Sequence, residues 1–192
     1  MNQTVEYYFL KLQVFLLLVA GVRQAALVRL DQMLRLRPQD RYALASVAHI
    51  RAQMGDKAAA VEALQSLLSA YPDGSAGWFN LGFLLEQQGR PHDAEAAFRR
   101  AIELEPKMDR AWYGLSLVLI HLRRFDEAVE TLKKNTELQP MSPYGWYQLA
   151  RVHVDRQEPD EAVKIIRHLK RFEPKVAAQL EHETGLRIAP SA

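Results

Sequence analysis

Residues 75–108 read SAGWFNLGFLLEQQGRPHDAEAAFRRAIELEPKM, and the spacing inside this stretch decides the fold. Trp78, Leu81, Gly82 and Leu85 stand at i, i+3, i+4 and i+7, along one side of a helix of 3.6 residues per turn. Gly89 marks a corner. Pro91 suits the first turn of a new helix, where a missing N–H breaks no bond, and Ala94, Ala97, Phe98, Ala101 and Ile102 carry a second apolar side. Pro106 stops that helix, because proline lacks a donor and disfavours helix in the residue before it. The stretch predicts two helices joined by a tight turn.

The same pair recurs along the chain at a fixed step. Pro38, Pro72, Pro106, Pro140 and Pro174 are 34 residues apart each time, and Ala26, Ala60, Ala94, Ala128 and Ala162 keep the same register. So do Leu30, Leu64, Phe98, Leu132 and Ile166. Trp78, Trp112 and Trp146 form another column, opened by Leu10 and Leu44, and the corner held by Gly21, Gly55 and Gly89 passes to Arg123 and Gln157. The small residue in the alanine column has a packing reason: a larger side chain would hold the two helices apart. A period of this length organises a chain of stacked units in which each buries its faces on its neighbours.

A 34-residue step with a Trp–x2–Leu–Gly opening, a central Ala, an aromatic residue four later and a closing Pro resembles the tetratricopeptide repeat (TPR) family. The resemblance implies an all-α solenoid of five helix-turn-helix repeats, at 7–40, 41–74, 75–108, 109–142 and 143–176, wound as a right-handed superhelix. Residues 1–6 are then an N-terminal extension and 177–192 a capping helix and tail, polar at 181–184 as the end of a solenoid requires. Three positions depart from the pattern. Arg51 and His153 replace large apolar residues and Asn135 replaces a small one, so packing is expected to be looser there.

Composition limits the chemistry. The 192 residues are 48% hydrophobic and 25% charged with a net charge of +2, so no large cationic field invites nucleic acid. The chain has no cysteine, which removes disulfides, thiol nucleophiles and Cys-ligated zinc. No HExxH, GxSxG, phosphate-binding or dinucleotide-binding turn occurs; His153 occupies a core column, and His49, His121 and His168 are scattered through different units. Carboxylates such as Asp126 and Glu127 open second helices, where the helix dipole accounts for them. The expectation is a non-enzyme with no cofactor and no metal.

A second stripe remains once the core stripe is assigned. Phe79 and Phe83 lie about 120° around the helix from its packed side. Equivalent places hold Tyr42 and His49, then Tyr113 and Leu117, then Tyr144, Tyr147 and Arg151, with Asn80, Arg110 and Gln148 alongside. In the family this side of the first helices lines a concave groove that receives partner peptides, so the resemblance implies that these twelve residues form it. The competing reading packs the rings between neighbouring repeats or covers them with the protein's own tail. The two-carboxylate clamp of some family members is not expected, since only Asn80 and Arg110 fit it while Ala45, His49 and Gly114 fill its other places.

Residues 7–20, YYFLKLQVFLLLVA, are apolar nearly all round, and a helix of that kind must be covered. One reading makes it a first-repeat helix whose extra face meets another protein or a second copy. Another makes 5–22 a membrane anchor, despite Glu6, Lys11 and Gln13, which would hold the solenoid at the cytoplasmic side of an inner membrane by the positive-inside rule. A cleaved signal peptide fits poorly, because Glu6 spoils its basic end. The function these features predict is a cytoplasmic protein-interaction scaffold or assembly adaptor holding a protein or peptide partner, with a membrane-tethered assembly factor as the alternative.

Overall fold

The computed structural model describes residues 2–186, which form eleven helices and no strand. They are α1 (Gln3–Val19), α2 (Arg23–Leu36), α3 (Arg41–Gln53), α4 (Lys57–Ala70), α5 (Ser75–Gln87), α6 (Pro91–Leu104), α7 (Asp109–His121), α8 (Phe125–Leu138), α9 (Pro143–Asp155), α10 (Pro159–Leu169) and α11 (Pro174–Thr184). Two compact units divide between them at the corner after α5, Met1–Gly89 and Arg90–Ala192.

The ends of the helices follow from the residues at the repeat boundaries. Asp40 and Asp56 cap α3 and α4, each accepting through its carboxylate from the N–H of Ala43 at 2.8 Å and of Ala59 at 3.2 Å. Pro begins α6, α9, α10 and α11. The corner column is left-handed throughout, with φ of 73°, 80° and 70° at Gly21, Gly55 and Gly89 and of 58° and 63° at Arg123 and Gln157. A bond spanning five residues closes the corner: the N–H of Val22, Asp56, Arg124 and Glu158 reaches the carbonyl of Leu17, Arg51, Leu119 and His153 at 2.8–3.0 Å. The tryptophan and proline columns meet. Each indole Nε1–H donates to the carbonyl of the proline six residues earlier, Trp78 to Pro72 at 2.8 Å, and Trp112 to Pro106 and Trp146 to Pro140 at 2.9 Å.

Within the first unit, α1 packs on α2, α2 on α3, α3 on α4 and α4 on α5. Tyr7, Leu10 and Val14 meet Ala26, Leu27, Leu30 and Met33 in its N-terminal core, and the Tyr7 hydroxyl donates to Asp40 at 2.8 Å beneath the Arg37 guanidinium. Burial, reinforced by that bond to a carboxylate, pushes the Tyr7 hydroxyl up to about 12. In the second unit α7 packs on α6 and α8, α9 on α8 and α10, and α11 against α9 and α10. Ala94, Ala128 and Ala162 are fully buried, as is Ala26 in the first unit, and Phe98, Leu132 and Ile166 lie in the second unit's core. Gly114 faces the Phe98 ring so closely that a Cβ there would stand 2.6 Å from it.

The three departures are compensated rather than loose. Arg51 pairs with Asp56 at 3.1 Å and His153 Nδ1 with Glu158 at 2.7 Å, each reaching the residue five further on. Asn135 is buried, donates to the Asp109 carbonyl at 2.9 Å, and fits because Gly145 opposite it has no Cβ. The expected looser packing at these positions is therefore corrected.

The membrane-anchor reading of residues 5–22 meets a helix shorter than that segment. The helix ends at Val19, Gly21 turns the chain, and among the described residues no helix is long and apolar enough to cross a membrane. One side of α1 is core. The other is bare: Val5, Tyr8, Phe9, Leu12, Phe15, Leu16 and Val19 are all more than half exposed.

Candidate functional site

From the second repeat on, the first helices carry one column at Ala45, Phe79, Tyr113 and Tyr147, stepping by 34, while Lys11 holds that place in the first. Three of the four are aromatic. Where the ring is missing, at Ala45 on α3, a cavity of about 610 Å³ opens within the first unit. Ala48 and Ala52 continue the small side of α3 at i+3 and i+7, and Ala76 and Gly77 do the same at the start of α5. The volume falls in the range of roughly 300–1,000 Å³ typical of ligand sites.

Its floor is apolar. Leu64 and Leu68 of α4 and Leu84 of α5 are buried beneath it, and the half-exposed Phe83 ring forms one wall. Its rim is polar and, in charge, one-sided. The cations Arg41 and Lys57 line it together with His49, Gln53, Asn80 and Gln87, and no Asp or Glu is among the lining residues. Arg41 lies over the Tyr71 ring at 5.5 Å, and the Tyr71 hydroxyl donates to the Gln39 carbonyl at 2.6 Å, which holds that ring at the edge.

A short relay orders the far rim. Arg23 Nε donates to Gln53 Oε1 at 3.2 Å, and Gln53 Nε2 stands 2.9 Å from His49 Nε2. Since arginine can only donate, the Gln53 carbonyl must face it, and the amide N–H must face the imidazole. His49 Nε2 accepts, so the proton of the neutral ring sits on Nδ1. Among the described residues no group of three or more His, Cys, Asp or Glu gathers to hold a metal ion.

Of the twelve residues expected to line a groove, the structure brings His49, Asn80 and Phe83 together in this cavity. Tyr42 is half-buried against the N-terminal core with the Lys11 ammonium 4.6 Å above its ring. Phe79 is half-buried and does not line the cavity. The other seven lie in the second unit. Arg110 and Tyr144 are exposed, and Tyr113, Leu117 and Gln148 are half-buried. Tyr147 is tied to the terminal helix: its hydroxyl donates to Glu183 of α11 at 2.6 Å and accepts from Arg151 at 3.4 Å. That bond to a carboxylate raises the Tyr147 hydroxyl and, with a second bond from Gln179, holds Glu183 below the usual carboxylate range.

Sequence reasoning passed over Arg41, Ala45, Ala48, Ala52, Lys57 and Tyr71. A signal was present for the alanines, whose i, i+3, i+7 spacing leaves a helix side with nothing large on it. None marked Tyr71, which comes from the end of a second helix.

A family model described as tetratricopeptide repeat matches residues 47–91 and 79–143, together half of the chain. No curated protein gives a significant match. Solved structures resemble the chain over nearly its whole length. A MamA protein is 19% identical with a TM-score of 0.82, over 96% of this chain and 98% of that one. A tetratricopeptide repeat protein from Parabacteroides merdae is 20% identical with a TM-score of 0.80, over 94% and 74%. YrrB, described as a TPR protein with an unusual peptide-binding site, is 19% identical with a TM-score of 0.79, over 90% and 89%.

Proposed function

Since the chain belongs to the tetratricopeptide repeat family, we propose that it is a non-catalytic interaction scaffold whose ligand is a partner's peptide segment held in the cavity between α3 and α5. The observation that carries this is the cavity itself: an apolar floor, a wall made by an exposed phenylalanine, and a rim with Arg41, Lys57 and His49 but no carboxylate. Such a site fits a segment with one large apolar side chain beside an acidic residue. The apolar chain supplies affinity by leaving water, and the acid supplies orientation and association rate through the rim cations. The peptide-binding site in the description of YrrB is in keeping with this reading.

The test uses a random peptide display library panned against the full chain, followed by titration of a recovered peptide. Ala45→Tyr restores the ring that the column lacks and should weaken binding by well over tenfold while leaving the melting temperature unchanged, because Ala45 is exposed. Phe83→Ala should cost about 2 kcal/mol of affinity, the usual scale for an interface aromatic. Arg41→Gln should flatten the salt dependence of binding and leave most of the affinity. Recovered peptides that bind Ala45→Tyr as well as they bind the native chain would place recognition elsewhere.

A further inference from the structure

The bare side of α1 has an internal symmetry. Counting 100° per residue from Leu12, the seven apolar residues that are more than half exposed fall within about 60° on either side of it, Leu18 at 36% exposure lies about 120° away, and Tyr7, Leu10, Val14 and Leu17 cluster around the opposite pole, where the core lies. The bare stripe is also nearly symmetric about Leu12, with Tyr8 opposite Leu16 as its one unlike pair. Val5 and Val19 are equidistant from Leu12, as are Tyr8 and Leu16, and Phe9 and Phe15. A two-fold interface requires a patch that is complementary to itself, and a helix laid antiparallel on its own copy requires this order: Leu12 on Leu12 at the axis, aromatic and aliphatic residues outward, valine at both ends.

Area supports the match. Fully bared Tyr and Phe side chains present about 150–250 Å² each and aliphatic ones somewhat less, so a stripe of seven at a little over half exposure offers roughly 700 Å². A stable interface takes about 800 Å² per partner. A membrane surface fits less well, since a helix lying in the headgroup layer is held by Lys and Arg on its polar side. The only such residue of α1 is Lys11, which is drawn over the Tyr42 ring, and Glu6 and Gln13 flank the stripe.

We infer that the exposed face of α1 is a homodimer interface, occupied by α1 of a second copy in antiparallel register centred on Leu12. This surface is distinct from the cavity between α3 and α5, and Ala45→Tyr should leave it unaffected.

The chain has no cysteine, so introduced thiols report the register without background. Antiparallel pairing brings the two copies of residue 12 together and sets residue 5 against residue 19 of the other copy, whereas parallel pairing sets residue 5 against residue 5. A disulfide forms only where the two Cα atoms come within about 7 Å. Under mild oxidation, Leu12→Cys and the double variant Val5→Cys/Val19→Cys should form covalent dimers, and Val5→Cys alone should not. Light scattering of the intact chain at tens of micromolar should give twice the 22.0 kDa monomer mass. Leu12→Glu, at a half-exposed position, should halve that mass with its helical circular dichroism unchanged. A monomer throughout this range, a dimer that survives Leu12→Glu, or cross-linking of Val5→Cys alone at the rate of Leu12→Cys would each overturn the inference. So would a chain that stays monomeric and instead sediments with phosphatidylethanolamine–phosphatidylglycerol vesicles, which would hand the face to a membrane.

Discussion

In residues 2–89 the aromatic column of the first helices is broken at Ala45, and the space this leaves is an open, apolar-floored cavity. In residues 90–186 the same column carries Tyr113 and Tyr147, and Tyr147 is bonded across to Glu183 of the terminal helix. The second unit is closed in other ways too. Arg124 and Arg99 each bond both Glu95 and Glu127, at 2.6–3.0 Å, and glycines at 114 and 145 let neighbouring side chains fill the space where a Cβ would be. One 34-residue plan thus carries a cavity in one unit and a tyrosine tied to the terminal helix in the other, according to which residues occupy a few columns. Size at those columns sets the difference, and the helices themselves are alike.

The largest effect that sharpens this contrast is the introduction of one charge at each place. Ala128 is fully buried, so Ala128→Glu should cost about 3 kcal/mol or more in denaturant melts, because it leaves a carboxylate without water or a partner. Ala45→Glu, on the exposed cavity wall, should cost no more than about 0.5 kcal/mol. Equal losses would mean that the two places are not closed and open as described.

A smaller effect separates two glycines. A Cβ at Gly145 would collide with the Asn135 side-chain oxygen, and the buried Asn135 cannot move without losing its bond to Asp109, so Gly145→Ala should cost about 1–3 kcal/mol. Gly77 instead faces the tip of Leu68, which borders the cavity and has room to turn into it. Gly77→Ala should therefore be near neutral, with the gain of up to about 1 kcal/mol in helix propensity offsetting the shift. Both are read from urea denaturation midpoints.

Much of this was legible in the sequence, and the columns explain how far. The proline, alanine and tryptophan steps located the helices because the residue types that end, pack and cap a helix are few. Even the departures carried their own explanation: where the column holds Leu85 or Leu119 the residue five later is Arg90 or Arg124, and where it holds Arg51 or His153 that residue is Asp56 or Glu158. The pairing was visible as a change of charge between repeats. The cavity was not, because a groove was sought where rings are present and it opened where a ring is absent. Tyr71 illustrates the same limit, since the end of α4 meets the start of α3 only once the two helices of the repeat fold back on each other.

The smallest of the expected effects concerns the corners. Gly55 and Gln157 share a left-handed conformation, with φ of 80° and 63°, that costs a side chain about 1–2 kcal/mol and glycine nothing. Gln157→Gly should raise stability by about 0.5 kcal/mol once the greater freedom of unfolded glycine is subtracted. A loss instead would show that Gln157 makes a contact the corner needs.

The indole–proline bonds give the chain an uneven optical label. Its three tryptophans, Trp78, Trp112 and Trp146, stand in the third, fourth and fifth repeats, each anchored to its own loop, while Leu10 and Leu44 leave the first two repeats dark. Fluorescence therefore watches the later part of the chain, and far-ultraviolet dichroism watches all of it. In a solenoid whose units depend mainly on their neighbours, fraying from the α1 end can proceed unseen by one probe while the other registers it, so a melt followed by emission alone would describe a shorter protein than the one in the cuvette.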